Sequence, residues 1–417
     1  MTTEQTRYER IALAHSRHPG DLAAQFASAA ATAHTDILAL DNHQLAIRDV
    51  AAGVAAPALI GFVIWTLHEA QRRKLERLCF LSRDGQVLHE LATRLAPRCG
   101  IDIDLSYVYS SRLTWSLAAT DPGQLSSAPW LFNSFIKSNA ADLCARLGIP
   151  LDDYRSTLDK AGVSLGPDQR AGSPIQMSAF QRFLESDNVR DAATERITAM
   201  RQLLLDYAAQ NNLAESTTGL VDAGWTGRMV GSLITLCEAA GMARPRVLLW
   251  GHEPRPTGWT DPAHVAAYMY NTATGMGLDH RVPDVPFIVE TFCMGDHGIV
   301  SGYHRAPSGR VYATFSSDIN TPAKDWGIDY YRFVLYHSCD ATIGSLDDVR
   351  PMIHEAMDAF WCHPTTNEAR VWGSYPYDSD PAGTAARVLA RPLSDDEARG
   401  DRAWLAGSLA LGPTRPG

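Results

Sequence analysis

Cysteine motifs, basic charge and long apolar runs are what this chain has least of. Its 417 residues include seven cysteines, at positions 79, 99, 144, 237, 293, 339 and 362, scattered and odd in number, with no CxxC pair and no zinc-type cluster. That excludes a disulfide-stapled scaffold and a cysteine zinc site, and it predicts reduced thiols in a cytoplasm. Lysine and arginine number 37 against 47 aspartates and glutamates, a net charge of -10, and the pI is near 5.8. This balance argues against a general binder of nucleic acid or anionic membrane, and an acidic field suits a cationic partner better. The opening "MTTEQTRYERIALAHSRHPGD" is charged throughout and lacks an apolar h-region, so no secretory signal is expected. One stretch imitates a membrane span: Val50 to Leu67, "VAAGVAAPALIGFVIWTL", uncharged for 18 residues but Ala-rich and holding Gly53, Pro57 and Gly61. Its length is marginal for spanning, and its composition predicts a buried helix or helix pair closing a core.

Several chemistries are also missing. The sequence has no HExxH zinc helix, no GxxxxGK[ST] loop and no GxGxxG after a strand. No internal repeat or low-complexity tract stands out.

What is there, with 45 % hydrophobic residues, is enough to bury a sizeable core in one elaborated domain or two smaller ones. Residues 1–50 read as a leading helical segment. From Ala58 the pattern runs helix, strand (Leu78 to Leu81), turn, helix (Gln86 to Leu95, apolar at Val87, Leu88, Leu91 and Leu95) and a second strand at Leu105 to Tyr109. Residues 123–215 carry helical spacing, broken by "AGVSLGPDQRAGSPIQ", and read as a helical insertion or cap. The alternation then resumes with a strand ending near Asp222, a Gly-punctuated turn, a helix, and the strand "RVLLWG" from Arg246. Beyond Pro286 come the apolar runs "PFIVETF" and "RVYATF" and two helix-like segments, so 306–417 is expected to pack as C-terminal elements on the core. Alternating strands and helices predict an α/β fold with a parallel sheet flanked by helices, its core drawn from 51–122 and 216–305.

Three strand ends carry the polar residues. The first is "LSRDG": Arg83 is shaped for bidentate contact with phosphate, and Asp84 can hold a magnesium ion or orient a ligand, beside Ser82 and Gly85. An Asp-Gly turn with an Arg-Asp ion pair, or Asp84 as a helix N-cap, accounts for the same residues. This turn is not a haloacid-dehalogenase-type motif, which needs an aspartate at the strand end and another two residues on. The second is "VDAGWTGRM". Asp222 is placed to hold a metal or a ligand hydroxyl, and Gly224, Thr226 and Gly227 leave amides bare at the next helix, where phosphate binds. Alternatively, the glycines make a tight turn and Asp222 and Thr226 cap the helix. Arg228 follows that loop, and Trp225 walls a sugar site or packs in the core. The third is "YVYSSRLTW", where Ser110, Ser111 and Arg112 reach the edge that Arg83 reaches or are ordinary solvated residues. Lys137 is a further cation to note. Farther on, "VETFCMGDHGIVSGYHR" gathers Glu290, Asp296, His297, Tyr303, His304 and Arg305 around three glycines. A base for a hydroxyl acceptor could come from Glu290, His297 or Asp296, though such a cluster is more often a satisfied polar loop.

The paired signatures "FLSRDG" and "VDAGWTG", set in "CFLSRDGQVLHELATRL" and "GLVDAGWTGRMVGSLITLCEAAG", resemble a phosphoribosyltransferase. More specifically they resemble a bacterial group of phosphoribosyltransferase-like enzymes that add ribofuranosyl phosphate to sugar hydroxyls in polysaccharide assembly and aminoglycoside biosynthesis. The resemblance covers roughly residues 50–305 and is patchy between Asp121 and Ser216. It implies that Ser82, Arg83, Asp84 and Gly85 hold pyrophosphate and its Mg2+, that Asp222 contacts ribose hydroxyls or the metal, and that Gly224, Thr226 and Gly227 hold a 5-phosphate. It also implies a phosphoribosyl pyrophosphate (PRPP) donor, a small polar acceptor, for which the acidic charge balance favours a cationic one, and a separate phosphatase acting on the product. The nucleotide-synthesis members carry two adjacent acidic residues where this chain has Val221, Asp222 and Ala223, which leaves the metal leaning on Asp84. Two rival readings are a non-catalytic sensor or scaffold for a phosphoribosyl ligand and a sugar-nucleotide glycosyltransferase.

Overall fold

The structure, a computed structural model, describes residues 5–132, 139–163, 174–254, 264–280, 282–378, 386–392 and 403–413. Three helices lead the chain: α1 (Arg7–His15), α2 (Leu22–Asp36) and α3 (Asn42–Val50), entered through side-chain caps from Thr6, Asp21 and Asp41. A π-turn at Ala51–Ala55 joins α3 to α4 (Ala56–Arg73). The apolar run is therefore part of one helix, Asn42–Arg73, long and apolar enough to cross a membrane, with 94 % of its most apolar window buried in the protein.

The sheet follows. β1 (Arg77–Leu81) leads to α5 (Gly85–Leu95), β2 (Asp104–Val108) and α6 (Arg112–Ala119), within a residue of the expected bounds. The helical stretch holds α7 (Ala140–Leu147), α8 (Arg155–Ala161), α9 (Pro174–Leu184) and α10 (Asp187–Gln210). Then come β3 (Thr218–Trp225), α11 (Arg228–Ala239), β4 (Arg246–His252) and β5 (Val265–Asn271). The rest comprises α12 (Val285–Phe292), the hairpin β6 (Val300–Arg305) and β7 (Val311–Phe315), α13 (Thr321–Trp326), α14 (Ile328–Asp340), α15 (Arg350–Trp361), α16 (Thr366–Gly373), the short pair β8 (Pro376–Asp378) and β9 (Ala386–Val388), and α17 (Leu405–Leu411).

Five parallel strands form the main sheet in the order β2-β1-β3-β4-β5. Strands buried on both faces need apolar residues at successive positions, and β1 and β4 supply them. Along β1, Leu78 and Phe80 enter one core and Cys79 and Leu81 the other; along β4, Leu248 and Trp250 alternate in the same way with Val247 and Leu249. The first core also takes in the leading helices, α12 and the C-terminal helices. The second takes in α6, α10 and α11. The leading helices α1, α2 and α3 thus share a core with the C-terminal helices, and α7, α8, α9 and α10 pack in the core on the opposite face.

One apolar run takes its secondary structure here and one expectation changes. "PFIVETF" is a helix: Pro286 favours a first turn, and Val285, Ile288, Val289 and Phe292 make a buried stripe at helical spacing. β3 does not end near Asp222 but runs on to Trp225, because Gly224 pairs with Gly251 and Trp225 with His252 of β4. β5 and β6 were not anticipated as strands.

The strand order places one reversal at β1 and β3. From β1 the chain steps outward to β2, then returns through α6 to α10 to lie on the other side of β1. In open parallel sheets the crevice at such a switch, beyond the carboxyl ends of the strands, is where ligands bind.

Candidate active site

Both signature turns open onto that crevice. After β1, Ser82 to Asp84 lead directly into α5, and Gly85 sits so close to the strand that a Cβ there would come within 2.6 Å of the Phe80 carbonyl carbon. Only glycine lets the helix start this near the strand. Asp84 occupies the N-cap position with helical backbone angles (φ -56°, ψ -37°) and makes no side-chain capping bond. α11 likewise begins without a side-chain cap, its N-cap being Gly227 at φ 66°. The capping account of Asp84, Asp222 and Thr226 is therefore not what these turns use. By contrast α6 is capped in the ordinary way, with the Ser111 hydroxyl accepting from the Thr114 N–H.

Asp222, in the middle of β3, is 8 % exposed, and Asp84 and Glu290 are half-buried. Burial, then the charges of Glu290 and Asp222, push Asp84 well above the usual carboxylate range, against the opposing pull of Arg83 and Arg112. Burial and the Glu290 charge push Asp222 up to about 7, with the Ala223 N–H and Arg112 opposing. Three carboxylates from a turn, a strand and α12 thus share one low-dielectric space with two guanidinium groups, an arrangement that favours an added cation. The buried Cys293 thiol is raised by burial and then by the same three carboxylates.

The hydroxyls predicted for ligand have protein partners. Ser82 Oγ donates to the Ser110 carbonyl and accepts from the Ser110 N–H, both at 2.7 Å, and Ser110 Oγ donates to the Ser82 carbonyl at 3.1 Å. Ser111 Oγ donates to the Val300 carbonyl at 2.7 Å. The serines tie β1, β2 and β6 together, while Arg112, exposed at the start of α6, carries the charge facing the carboxylates.

In the second turn, Gly224 lies in the β-ladder rather than in a loop of bare amides, at φ 129° with the Gly251 carbonyl 2.1 Å from where its Cβ would be. Trp225 is 7 % exposed and packs edge-on against Trp250 with ring centroids 5.7 Å apart, so it is core rather than a wall of the crevice. Its Nε1 and His252 Nε2, on neighbouring strand ends, are buried without hydrogen-bond partners among the described residues. Thr226 and Gly227 form the loop proper, and Arg228 opens α11.

The polar cluster after α12 divides. Glu290 joins the aspartates. Asp296 turns to Arg332 (3.0 Å) and Gln86 (2.7 Å); burial opposes ionisation there, but Gln86 and Arg332 hold the carboxyl below its ordinary value. His297 is buried, its Nδ1 bonded to the Gly298 carbonyl at 2.7 Å and its Nε2 to Tyr107 Oη at 2.6 Å. A carbonyl only accepts, so Nδ1 carries the proton and Nε2 accepts from the phenol. Burial lowers the His297 pKa, consistent with a neutral ring whose basic nitrogen is occupied. Tyr303 is buried and donates to the Tyr109 carbonyl, while His304 and Arg305 face outward, with Arg305 paired to Asp206. Lys137 lies outside the described residues.

Three residues that the sequence reading did not assign to the site belong here. Gln86 and Arg332 hold the 294–296 loop against α5. Tyr377, from β8, donates to Glu290 Oε2 at 2.6 Å. Gln86 was one residue beyond a quoted motif, whereas no local signal marks Tyr377, 87 positions from its partner.

Among the described residues no three His, Cys, Asp or Glu side chains form a ready-made metal cage. Magnesium, however, is commonly held by one or two carboxylates plus water and phosphate oxygens. Asp84 and Asp222, with two uncapped helix starts beside them, match that donor set. No protein-family model matches this sequence, and no curated protein matches it.

Proposed function

We propose that this chain is a PRPP-dependent phosphoribosyltransferase that moves 5-phosphoribosyl onto a hydroxyl of a sugar or aminocyclitol, releasing pyrophosphate. The observation that carries the reading is that Asp84 follows β1 and Asp222 lies in the adjacent strand β3 at the switch point, where the Asp222 charge reaches Asp84, beside two helix N-termini that no side chain caps.

In this reading Arg83 and Arg112 bind the pyrophosphate oxygens, and the amides at Gly227 and the first turn of α11 take the 5-phosphate, where backbone N–H groups and the helix dipole favour an anion. Asp84 and Asp222 would hold Mg2+, which when bound offsets charge on the leaving pyrophosphate. The acceptor oxygen bonds to the anomeric carbon from the opposite face. The bond to pyrophosphate breaks with its electron pair, and the hydroxyl proton passes to Glu290. Glu290 is preferred over His297 as the base because the basic nitrogen of His297 already accepts from Tyr107. Asp296 is set aside for the same kind of reason, being ion-paired to Arg332. Most of the rate then comes from positioning and charge rather than covalent catalysis. Inversion at the anomeric carbon follows, since neither turn carries a nucleophile suited to a covalent intermediate. The acidic balance suits a small cationic acceptor such as an aminoglycoside core, reached in the cytoplasm, with a separate phosphatase acting afterwards.

A donor that binds the native state raises the melting temperature. PRPP with Mg2+ is expected to do so when nucleotide sugars do not, and Asp84→Ala and Asp222→Ala are expected to abolish pyrophosphate release. No shift with PRPP would end the reading, and binding without turnover would leave a sensor.

A further inference from the structure

The C-terminal hairpin enters the site, although nothing in the two signature turns requires it. Tyr377 is fixed on α12 at two points: its ring meets Phe287 edge-on with centroids 5.2 Å apart and planes at 71°, and its hydroxyl donates to Glu290 Oε2 at 2.6 Å. Phe287 and Glu290 are three residues apart, hence on one face of the helix. Two residues earlier, Tyr375 donates to the Thr291 carbonyl at 2.7 Å and packs edge-on against Trp326 with centroids 4.8 Å apart. The backbone is held as well, since Tyr377 pairs with Arg387 in the β8–β9 ladder.

We infer that Tyr377 is a positioning residue that holds Glu290 for proton transfer, so that the site is completed by an element about 150 residues downstream of the second signature turn. This rests on the transfer reading above. A glutamate has three rotatable side-chain bonds, and a carboxylate that must meet a hydroxyl within hydrogen-bond reach gains from being fixed. The phenol has one proton to donate and gives it to Oε2. Oε1 has no hydrogen bond among the described residues and takes the acceptor's proton as the new C–O bond forms and pyrophosphate leaves with the electron pair of the bond it breaks.

Tyr377→Phe keeps the ring and its packing on Phe287 and removes only the hydroxyl. With PRPP and Mg2+, and water or an added polyol as acceptor, pyrophosphate release is expected to fall about 10- to 100-fold in kcat with the KM for PRPP unchanged. Glu290→Gln is expected to fall further, and the double variant to be no slower than Glu290→Gln alone, because residues acting as a unit are non-additive. A wild-type kcat in Tyr377→Phe, or losses that multiply in the double variant, would overturn the inference while leaving the transfer reading intact. If wild-type protein shows no thermal shift with PRPP, or no release at all, both fall together. Should Tyr377→Phe not fold, Phe287→Leu carries the test: a lowered kcat at unchanged donor KM supports the clamp, and an unchanged kcat removes it.

Discussion

Ser82 and Ser110 close on one another at the carboxyl ends of β1 and β2, each hydroxyl donating to the other residue's carbonyl while Ser82 Oγ also accepts from the Ser110 N–H. The motif residue that looks most like a phosphate ligand is thus part of the sheet's edge. Ser82→Ala leaves the buried Ser110 amide and carbonyl without their partner, a loss of roughly 1–3 kcal/mol. Urea denaturation is expected to show that loss in stability, with donor affinity nearly unchanged; the reverse pattern would return Ser82 to the ligand.

Asp222 gives a pH signature. Its folded pKa is raised to about 7 from an ordinary 3.8, so between those values the native state binds more protons than the unfolded chain. Stability contributed by this group therefore falls as pH rises from about 4 to about 7, by roughly 4 kcal/mol at most. Asp222→Asn is expected to flatten that fall, with a melting temperature above wild type at pH 8 and close to it at pH 5. Saturating Mg2+, which binds the ionised form, should oppose the same fall in the wild type. A melting curve for Asp222→Asn that keeps the wild-type pH slope would refute the assignment.

Gly224 and Gly251 face one another so that β3 can stay paired with β4 and carry Trp225 into the core. A Cβ on Gly251 would lie 2.1 Å from Trp225 Cζ3, inside the core. Gly251→Ala is expected to cost roughly 3 kcal/mol or more, at the severe end of overpacking. Gly20→Ala, whose Cβ meets nothing closer than 3.9 Å, is the control and should be near neutral in the same unfolding experiment.

Arg112 is exposed and its charge only opposes the larger effect of burial on Asp84 and Asp222, which stay protonated more readily without it. Arg112→Ala should move stability by no more than about 0.5 kcal/mol. Titration with PRPP and Mg2+ should nonetheless show about 10- to 100-fold weaker binding, the roughly 1.5–3 kcal/mol of a charge-assisted hydrogen bond. Equal affinity would take Arg112 out of the site.

The sequence by itself determined the parallel α/β core and its two polar turns. Apolar runs such as "RLCFL" and "RVLLWG" leave few alternatives to buried strands, the spacing of Val87, Leu88, Leu91 and Leu95 requires an amphipathic helix, and both are local patterns of period 2 or 3.6. Helix starts, caps and the Gly85 contact follow from neighbours in the chain. Only the tertiary structure decided which polar residues face the crevice. Asp84, Asp222, Glu290 and Tyr377 come from four separate elements, and whether Ser82 faces ligand or Ser110, Trp225 faces solvent or Trp250, or His297 Nε2 is open or bonded to Tyr107 depends on long-range packing. Local sequence fixes where a side chain leaves the backbone, while its partner across the fold fixes what that side chain can still do.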